Sequence, residues 1–246
     1  MEKIVICVVH LKPLPGSPMY EDFDSVLEKA LEDARAIEEG GADALIIENF
    51  GDKPFLAKVG EETVASMSVI AWEIRRAVNI GLGINVLRND AISALAIAKA
   101  VKADFVRVNQ LFFPSIAPEG ILFGDAGRIM RYKRQINCRA MIFADLEVKH
   151  AAHLANFEDY LLNAERSLAD AFIITGRATG LEPSVEKMKM IRKIAPTLAG
   201  SGVSVENAEK IVKHCDGVIV GSYIKERGRV SVERVKKIVR AVKSVK

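Results

Sequence analysis

Short, almost wholly apolar runs alternate with longer stretches whose apolar residues recur every three or four positions. The apolar runs lie at 4–9, 44–48, 83–86, 105–108, 140–145, 171–175, 197–200 and 217–220. Each is short and rich in Val, Ile, Leu or Ala, as expected of a strand buried on both faces. The stretches between them predict amphipathic helices over 25–39, 61–77, 90–101, 125–135, 157–168, 185–194, 205–213 and 232–242. The first helix stops at Gly40-Gly41, and the third starts behind Asn89, read as its N-cap. Strict alternation implies parallel strands with right-handed crossovers. An open doubly wound sheet has the same rhythm, but eight units is the number that closes a barrel. The expected fold is therefore a single (β/α)₈ TIM barrel over residues 1–246, in one domain.

The connections add a direction. Those from helix to strand are short, whereas 11–24, 49–60, 109–124 and 146–156, which follow strands, are long. Long loops gathered on one face of a compact domain usually carry function. In a barrel that face is the C-terminal end of the strands.

Composition narrows the class. The chain has 246 residues, 50% of them apolar and only 6% aromatic, which suits aliphatic strands under helices. A formal net charge of +3 with both signs interspersed gives no footprint for nucleic acid. The basic run 234–243 reads as the last barrel helix with a solvated outer face, not as a membrane-surface helix. No apolar stretch reaches the length of a membrane span, and no signal peptide is visible, so a cytoplasmic protein is expected. Cys7, Cys138 and Cys215 are odd in number and far apart, which argues against a disulfide framework. Cys7 reads as a small core residue.

The seventh run continues into Gly200-Ser201-Gly202-Val203-Ser204 and the eighth into Gly221-Ser222-Tyr223. Both turns are small enough for backbone N–H groups to approach an anion, with a helix N-terminus expected behind them. Gly200, Ser201, Gly202, Gly221 and Ser222 are thus candidate phosphate ligands. The third glycine of a dinucleotide fingerprint is missing, so nicotinamide binding is not expected.

Polar residues gather where the other runs end: His10, Glu48-Asn49, Asn85 with Arg88, Arg107 with Asn109, Asp145 with Lys149, and Thr175-Gly176. A charge at the end of a buried strand must be paired or used. Glu48 and Asp145 are candidates for general acid and base, or for holding Mg²⁺, the one cofactor considered. His10 is a candidate proton donor, Lys149 an electrostatic stabiliser, and Arg107 a grip for a carboxylate or second phosphate. Asn49, Asn85, Arg88, Asn109, Thr175 and Gly176 are candidate substrate-binding residues. His150 and His153 have metal-like spacing, but no Cys or His partner is apparent, and no zinc site is expected.

Seven stretches in order resemble the BtpA family across nearly the whole chain. They are Val9-His10-Leu11-Lys12-Pro13-Leu14-Pro15-Gly16-Ser17-Pro18, Glu48-Asn49-Phe50-Gly51-Asp52-Lys53-Pro54-Phe55, Gly83-Ile84-Asn85-Val86-Leu87-Arg88-Asn89-Asp90, Ala144-Asp145-Leu146-Glu147-Val148-Lys149-His150-Ala151, Thr175-Gly176-Arg177-Ala178-Thr179-Gly180, Gly200-Ser201-Gly202-Val203 and Val220-Gly221-Ser222-Tyr223-Ile224-Lys225. The resemblance implies a ribulose-phosphate-binding type of barrel. The family is named for a cyanobacterial factor in photosystem I biogenesis, and the name brings no settled reaction. After the fourth strand the family tends to an Asp-Gln-Gly-like run, where this chain has Ala117-Pro118-Glu119-Gly120. That loop is expected to be a lid, or a partner surface exposing Phe112, Phe113, Ile116 and Ile121.

Two functions remain open. One is an enzyme of lyase, isomerase or aldolase type acting on a small phosphorylated molecule. The other is a non-catalytic assembly factor with a vestigial site. A homo-oligomer is expected, with no integral membrane association.

Overall fold

The computed structural model describes residues 3–176 and 181–245. Arg177, Ala178, Thr179 and Gly180 of the fifth resemblance motif lie outside the described residues. In chain order the elements are β1 (Ile4–His10), α1 (Phe23–Glu39), β2 (Ala44–Glu48), α2 (Glu61–Ala77), β3 (Gly81–Asn85), α3 (Ala91–Val101) and β4 (Phe105–Val108). Then come β5 (Ser115–Ala117), β6 (Gly120–Leu122), α4 (Ala126–Gln135), β7 (Met141–Leu146), β8 (Ala152–His153), α5 (Phe157–Asn163), β9 (Ala171–Ile174) and α6 (Val185–Ile191). The chain ends with β10 (Thr197–Ala199), α7 (Ala208–Val212), β11 (Gly217–Val220), β12 (Lys225–Glu226), β13 (Arg229–Val230) and α8 (Val232–Lys243).

Eight of these strands close a parallel barrel in the order β1-β11-β10-β9-β7-β4-β3-β2. Each inner strand contributes alternate residues to two cores. Val5, Cys7 and Val9 face the helices, whereas Ile6 and Val8 join Ala44, Ile46, Phe105, Phe143, Ile173, Leu198 and Ile219 inside the barrel. Phe105 stacks on Phe143 with centroids 4.8 Å apart. A Cβ on Gly83 would stand 2.2 Å from the Phe105 ring, so glycine makes the room. Strand β3 starts at Gly81, two residues before the apolar pattern predicts, because Gly81 and Gly83 carry no hydrophobic signal. Burial pushes the Cys7 thiol up to about 12, with Asp43 adding to the shift, in keeping with a core residue.

At the N-terminal end of the barrel one device recurs. Counting the barrel staves in chain order from β1, the second, fourth, sixth and eighth (β2, β4, β9 and β11) are each preceded by an Asp: Asp43, Asp104, Asp170 and Asp216. Each carboxylate accepts the opening amide of the neighbouring odd stave: Val5, Leu82, Ile142 and Thr197, at 2.7–2.9 Å. An otherwise unpaired strand-end donor is satisfied four times in the same way.

The helices follow their caps. Asp22, Asp90, Asp125 and Asn156 each accept from a backbone N–H of their helix's first turn. Asp90, not Asn89, caps α3. Asn89 instead exchanges hydrogen bonds with the backbone of Gln110 and Phe123 and so holds the loop after β4. Helix α8 seats Val235, Ile238 and Val242 against the barrel, with Val235 pressed on Gly40. No helix among the described residues is long and apolar enough to cross a membrane.

The loop after β4 is a folded hairpin. Strands β5 and β6 pair antiparallel, and β8 joins the other edge of β5. Phe112 and Phe113 pack on Tyr160, so they anchor the hairpin and are not part of an open patch. Gln110 ties its base, donating to Phe112 O, Phe113 O and Tyr160 OH and accepting from Ser115. Ile116, Ile121 and Phe123 remain exposed.

Candidate active site

The inward series of each stave ends, one step above the apolar core, at the barrel mouth. Ile6 and Val8 lead to His10, Ala44 and Ile46 to Glu48, and Phe143 to Asp145. In register, His10, Glu48 and Asn85 stand side by side on β1, β2 and β3. Above them opens a cavity of about 590 Å³.

Arg107 is the centre of this side. Its Nε and Nη2 each donate to Asp145 at 3.0 Å, and its Nη1 donates to Glu48 Oε1 at 3.0 Å. Burial works against the guanidinium charge, but the two carboxylates outweigh it and raise the pKa above its ordinary value. Arg107 is therefore committed to protein carboxylates and is no free grip for a ligand anion. Asp145 does not line the cavity; its side chain is fully buried, and Asn109 Nδ2 adds a third donor at 2.9 Å. An acid–base role for Asp145 has no open face to act through. Both candidate Mg²⁺ ligands already share one cation, and no group of three or more His, Cys, Asp or Glu among the described residues is placed to hold a metal ion. His153 is engaged by Tyr160 and the Val148 carbonyl.

Glu48 keeps one side open. Its Oε2 lies 3.6 Å from His10 Nε2. His10 stacks on Phe50 at 4.4 Å between centroids, and Lys53 Nζ covers the outer face of Phe50 at 4.1 Å. The Lys225 ammonium donates to His10 Nδ1. Nδ1 must then be the acceptor, so the neutral ring carries its proton on Nε2, the atom turned to Glu48. Burial, then Lys225, Lys149, Lys29 and Arg107, lowers the His10 pKa to about 2, so the ring is neutral at physiological pH. Lys225 is itself lowered to about 8, by burial and then by Lys29.

The opposite side is made of backbone. Gly200, Ser201, Gly202, Gly221 and Ser222 all line the cavity, and the N–H groups of Gly202, Val203 and Ser222 make no hydrogen bond among the described residues. The Ser201 hydroxyl is occupied, accepting from Gly176 N at 2.7 Å and donating to Leu181 O at 3.2 Å. Gly202 has φ +64, and a Cβ there would meet Leu181 O at 2.3 Å. Gly221 lies against the His10 ring, with a Cβ position 3.2 Å from Cε1. The expected helix N-terminus is not built behind the first turn: α7 has only five residues and starts at Ala208.

Other candidates divide likewise. Asn85, Arg88, Asn109 and Lys149 line the cavity. Burial first, then Arg107, lowers the Lys149 pKa. Asn49 does not line it: its amide clips the two loops together through Leu87 N and O and Asp52. Thr175 and Gly176 also stand back, Gly176 bound to Ser201 and the Thr175 methyl near Gly200. Residues at the cavity that were not foreseen as site residues include Phe50, Lys53 and Glu119, which line it, and Lys225, which bonds His10. Phe50, Lys53 and Lys225 sit within the quoted motifs, but their contacts depend on loops from β1, β2 and β11 meeting.

Fold and mouth together define a closed eight-stave βα barrel with a mixed polar and Gly-rich cavity at the C-terminal end of its strands. The chain belongs to the BtpA family, whose sequence profile matches residues 1–244. It is 68% identical to a protein of Archaeoglobus fulgidus over 99% of this chain and 100% of that one. It is 39% identical to the photosystem I biogenesis protein BtpA of Synechocystis, over 92% of this chain and 82% of that one. Among solved structures, N-(5'-phosphoribosyl)anthranilate isomerase from Pyrococcus furiosus shares the fold with a TM-score of 0.63 and 15% identity, covering 99% of this chain and 100% of that one.

Proposed function

We propose that this barrel is an enzyme that holds a small phosphorylated metabolite by its phosphate at the turns after β10 and β11. Glu48 then takes or returns a proton on the adjoining atoms, while the neutral His10 Nε2–H hydrogen-bonds an oxygen on which charge develops. One observation carries the reading. The Gly221 turn, next to open backbone amides, lies in contact with His10, whose Nε2–H faces a carboxylate. A phosphate seated there brings the neighbouring carbon or oxygen between a neutral N–H donor, which stabilises developing negative charge, and a carboxylate, which moves the proton. Lys225 holds the imidazole in the donor tautomer. Binding energy from the phosphate orients the reacting atoms. Lyase, isomerase and aldolase-like reactions all fit this arrangement.

Titration with inorganic phosphate by calorimetry tests the anion site. Ser222 is exposed, so Ser222→Asp leaves the fold intact and sets a carboxylate on the turn. The substitution is expected to weaken phosphate at least about tenfold by like-charge repulsion; equal affinity refutes the site. Turnover assays on a panel of phosphorylated metabolites, with His10→Gln and Glu48→Gln as controls, test the chemistry.

The alternative is an assembly role like that in the name of the Synechocystis relative. Exposed Ile116, Ile121 and Phe123 on the hairpin favour it. Loss of a co-purifying partner on Ile121→Lys and Phe123→Lys, with no turnover in any assay, is its expected signature.

A further inference from the structure

The Arg107 cluster also sets the direction of an amide. Asp145 takes its donors from Arg107 and from Asn109 Nδ2. With Nδ2 committed, Asn109 presents Oδ1, and Asn85 Nδ2 donates to it at 2.9 Å and to Arg107 O at 3.1 Å. Turning the Asn85 amide over would place oxygen against oxygen at both contacts. Asn85 Oδ1 is thereby held on the other side of the amide. Asn85 is 1% exposed and lines the cavity, and this oxygen has no hydrogen-bond partner.

A second acceptor is in the same state. Glu119, at the tip of the β5–β6 hairpin, lines the cavity with its side chain 10% exposed. Its Oε2 makes no hydrogen bond; the nearest cation, Arg88 Nε, is 3.7 Å away. A buried acceptor without a donor costs about 1–3 kcal/mol. Both belong to residues that line one cavity, so a ligand group that reaches them supplies the missing hydrogens. Three of the cations that line the cavity already stand near carboxylates. Arg88 is beside Glu119, Arg107 is shared by Glu48 and Asp145, and Lys149 stands near those same two carboxylates. Among the described residues Arg88, Arg107 and Lys149 thus already stand beside carboxylates, and a second acid group on the ligand would meet the Glu119 carboxylate here.

We propose that this side of the cavity binds a hydroxyl- or amino-bearing part of the ligand, with Asn85 Oδ1 and Glu119 Oε2 as acceptors. The hairpin carboxylate thus selects against ligands that carry a second acid group. The inference rests on the phosphate reading above for the other end of the ligand.

Calorimetry on the intact protein with four probes tests it: inorganic phosphate, ribose 5-phosphate, O-phosphoethanolamine and 3-phosphoglycerate. Ribose 5-phosphate reports hydroxyl donors and O-phosphoethanolamine an amine. At least one is expected to bind about tenfold or more tighter than inorganic phosphate, and 3-phosphoglycerate, with its carboxylate, is not. Glu119→Ala, on a hairpin tip remote from the barrel core, should abolish about tenfold of that preference and leave inorganic phosphate unchanged. Glu119→Gln, which keeps an oxygen acceptor, should restore part of it. If phosphate binds but 3-phosphoglycerate is preferred, or Glu119→Ala leaves the preference intact, this inference falls and the phosphate reading stands. If inorganic phosphate itself does not bind, both fall.

Discussion

The ring of inward residues at the barrel mouth has two halves made on opposite plans. From β1 through β7 it carries His10, Glu48, Asn85, Arg107 and Asp145; on β10 and β11 it continues as Gly200 and Gly221. The first half is dense with charge, yet most of that charge is spent on itself. Arg107 answers two carboxylates, Asn109 and Asn85 carry the pattern outward, and of these five residues His10 Nε2, Glu48 Oε2 and Asn85 Oδ1 are the side-chain polar atoms without a hydrogen bond among the described residues. The second half has almost no side chain and leaves backbone amides open. Number of charges is thus a poor guide to how many polar groups stay open at the mouth. A charge that must be buried recruits its own partners, whereas a glycine turn leaves its donors unspent.

The sharpest way to break this comparison is Arg107→Leu. It strands two buried carboxylates, and about 3–5 kcal/mol of stability should be lost in chemical denaturation. A loss below about 1 kcal/mol would mean that the cluster does not hold the mouth together. On the glycine side, Gly202→Ala meets the Leu181 carbonyl and a positive φ, and should cost about 1–3 kcal/mol, while exposed Ser222→Ala should be neutral. A third substitution lies at the far end of the barrel. Asp104→Ala removes the acceptor of the Leu82 amide and should cost about 1 kcal/mol, with phosphate affinity unchanged by calorimetry.

The smallest effect is a pH slope. The Lys225 pKa is lowered from 10.5 to about 8, so between those values the unfolded chain binds the proton that the folded chain has lost. Its contribution therefore makes stability rise with pH across that window. For a partly exposed group the slope should stay under about 1 kcal/mol per pH unit. Denaturation midpoints at the two ends of the window, compared with Lys225→Met, isolate it. In the same variant the His10 ring ¹⁵N signals should leave the pure Nε2–H pattern, because Nδ1 has lost its ammonium donor. An unchanged pattern would remove Lys225 from the site.

The barrel itself was legible because the hydrophobic pattern is a local record of burial. Strands β2, β4 and β11 match the apolar runs at both ends. The misses have local causes as well. β3 begins in glycines that carry no hydrophobic signal, and α7 is shorter than its periodic stretch because the turn after β10 consumes its first residues. The Asp before β2, β4, β9 and β11 was not singled out in the sequence, because its purpose shows only when the neighbouring stave's amide is beside it.

What the sequence determined alone was the order of the eight strand–helix units, the face on which polar residues collect and the two glycine turns. All three depend on neighbours in the chain or on period-two alternation. What only the tertiary structure decided was how those polar residues divide their work. Glu48, Arg107 and Asp145 come from different staves, and whether a charge is free or spent depends on which partner lies within 3 Å. The same holds for Lys225, which stands far from His10 along the chain yet sets its tautomer, and for Glu119, which a hairpin brings over the mouth. Closure of the barrel places these groups together, and closure is a property of the whole chain.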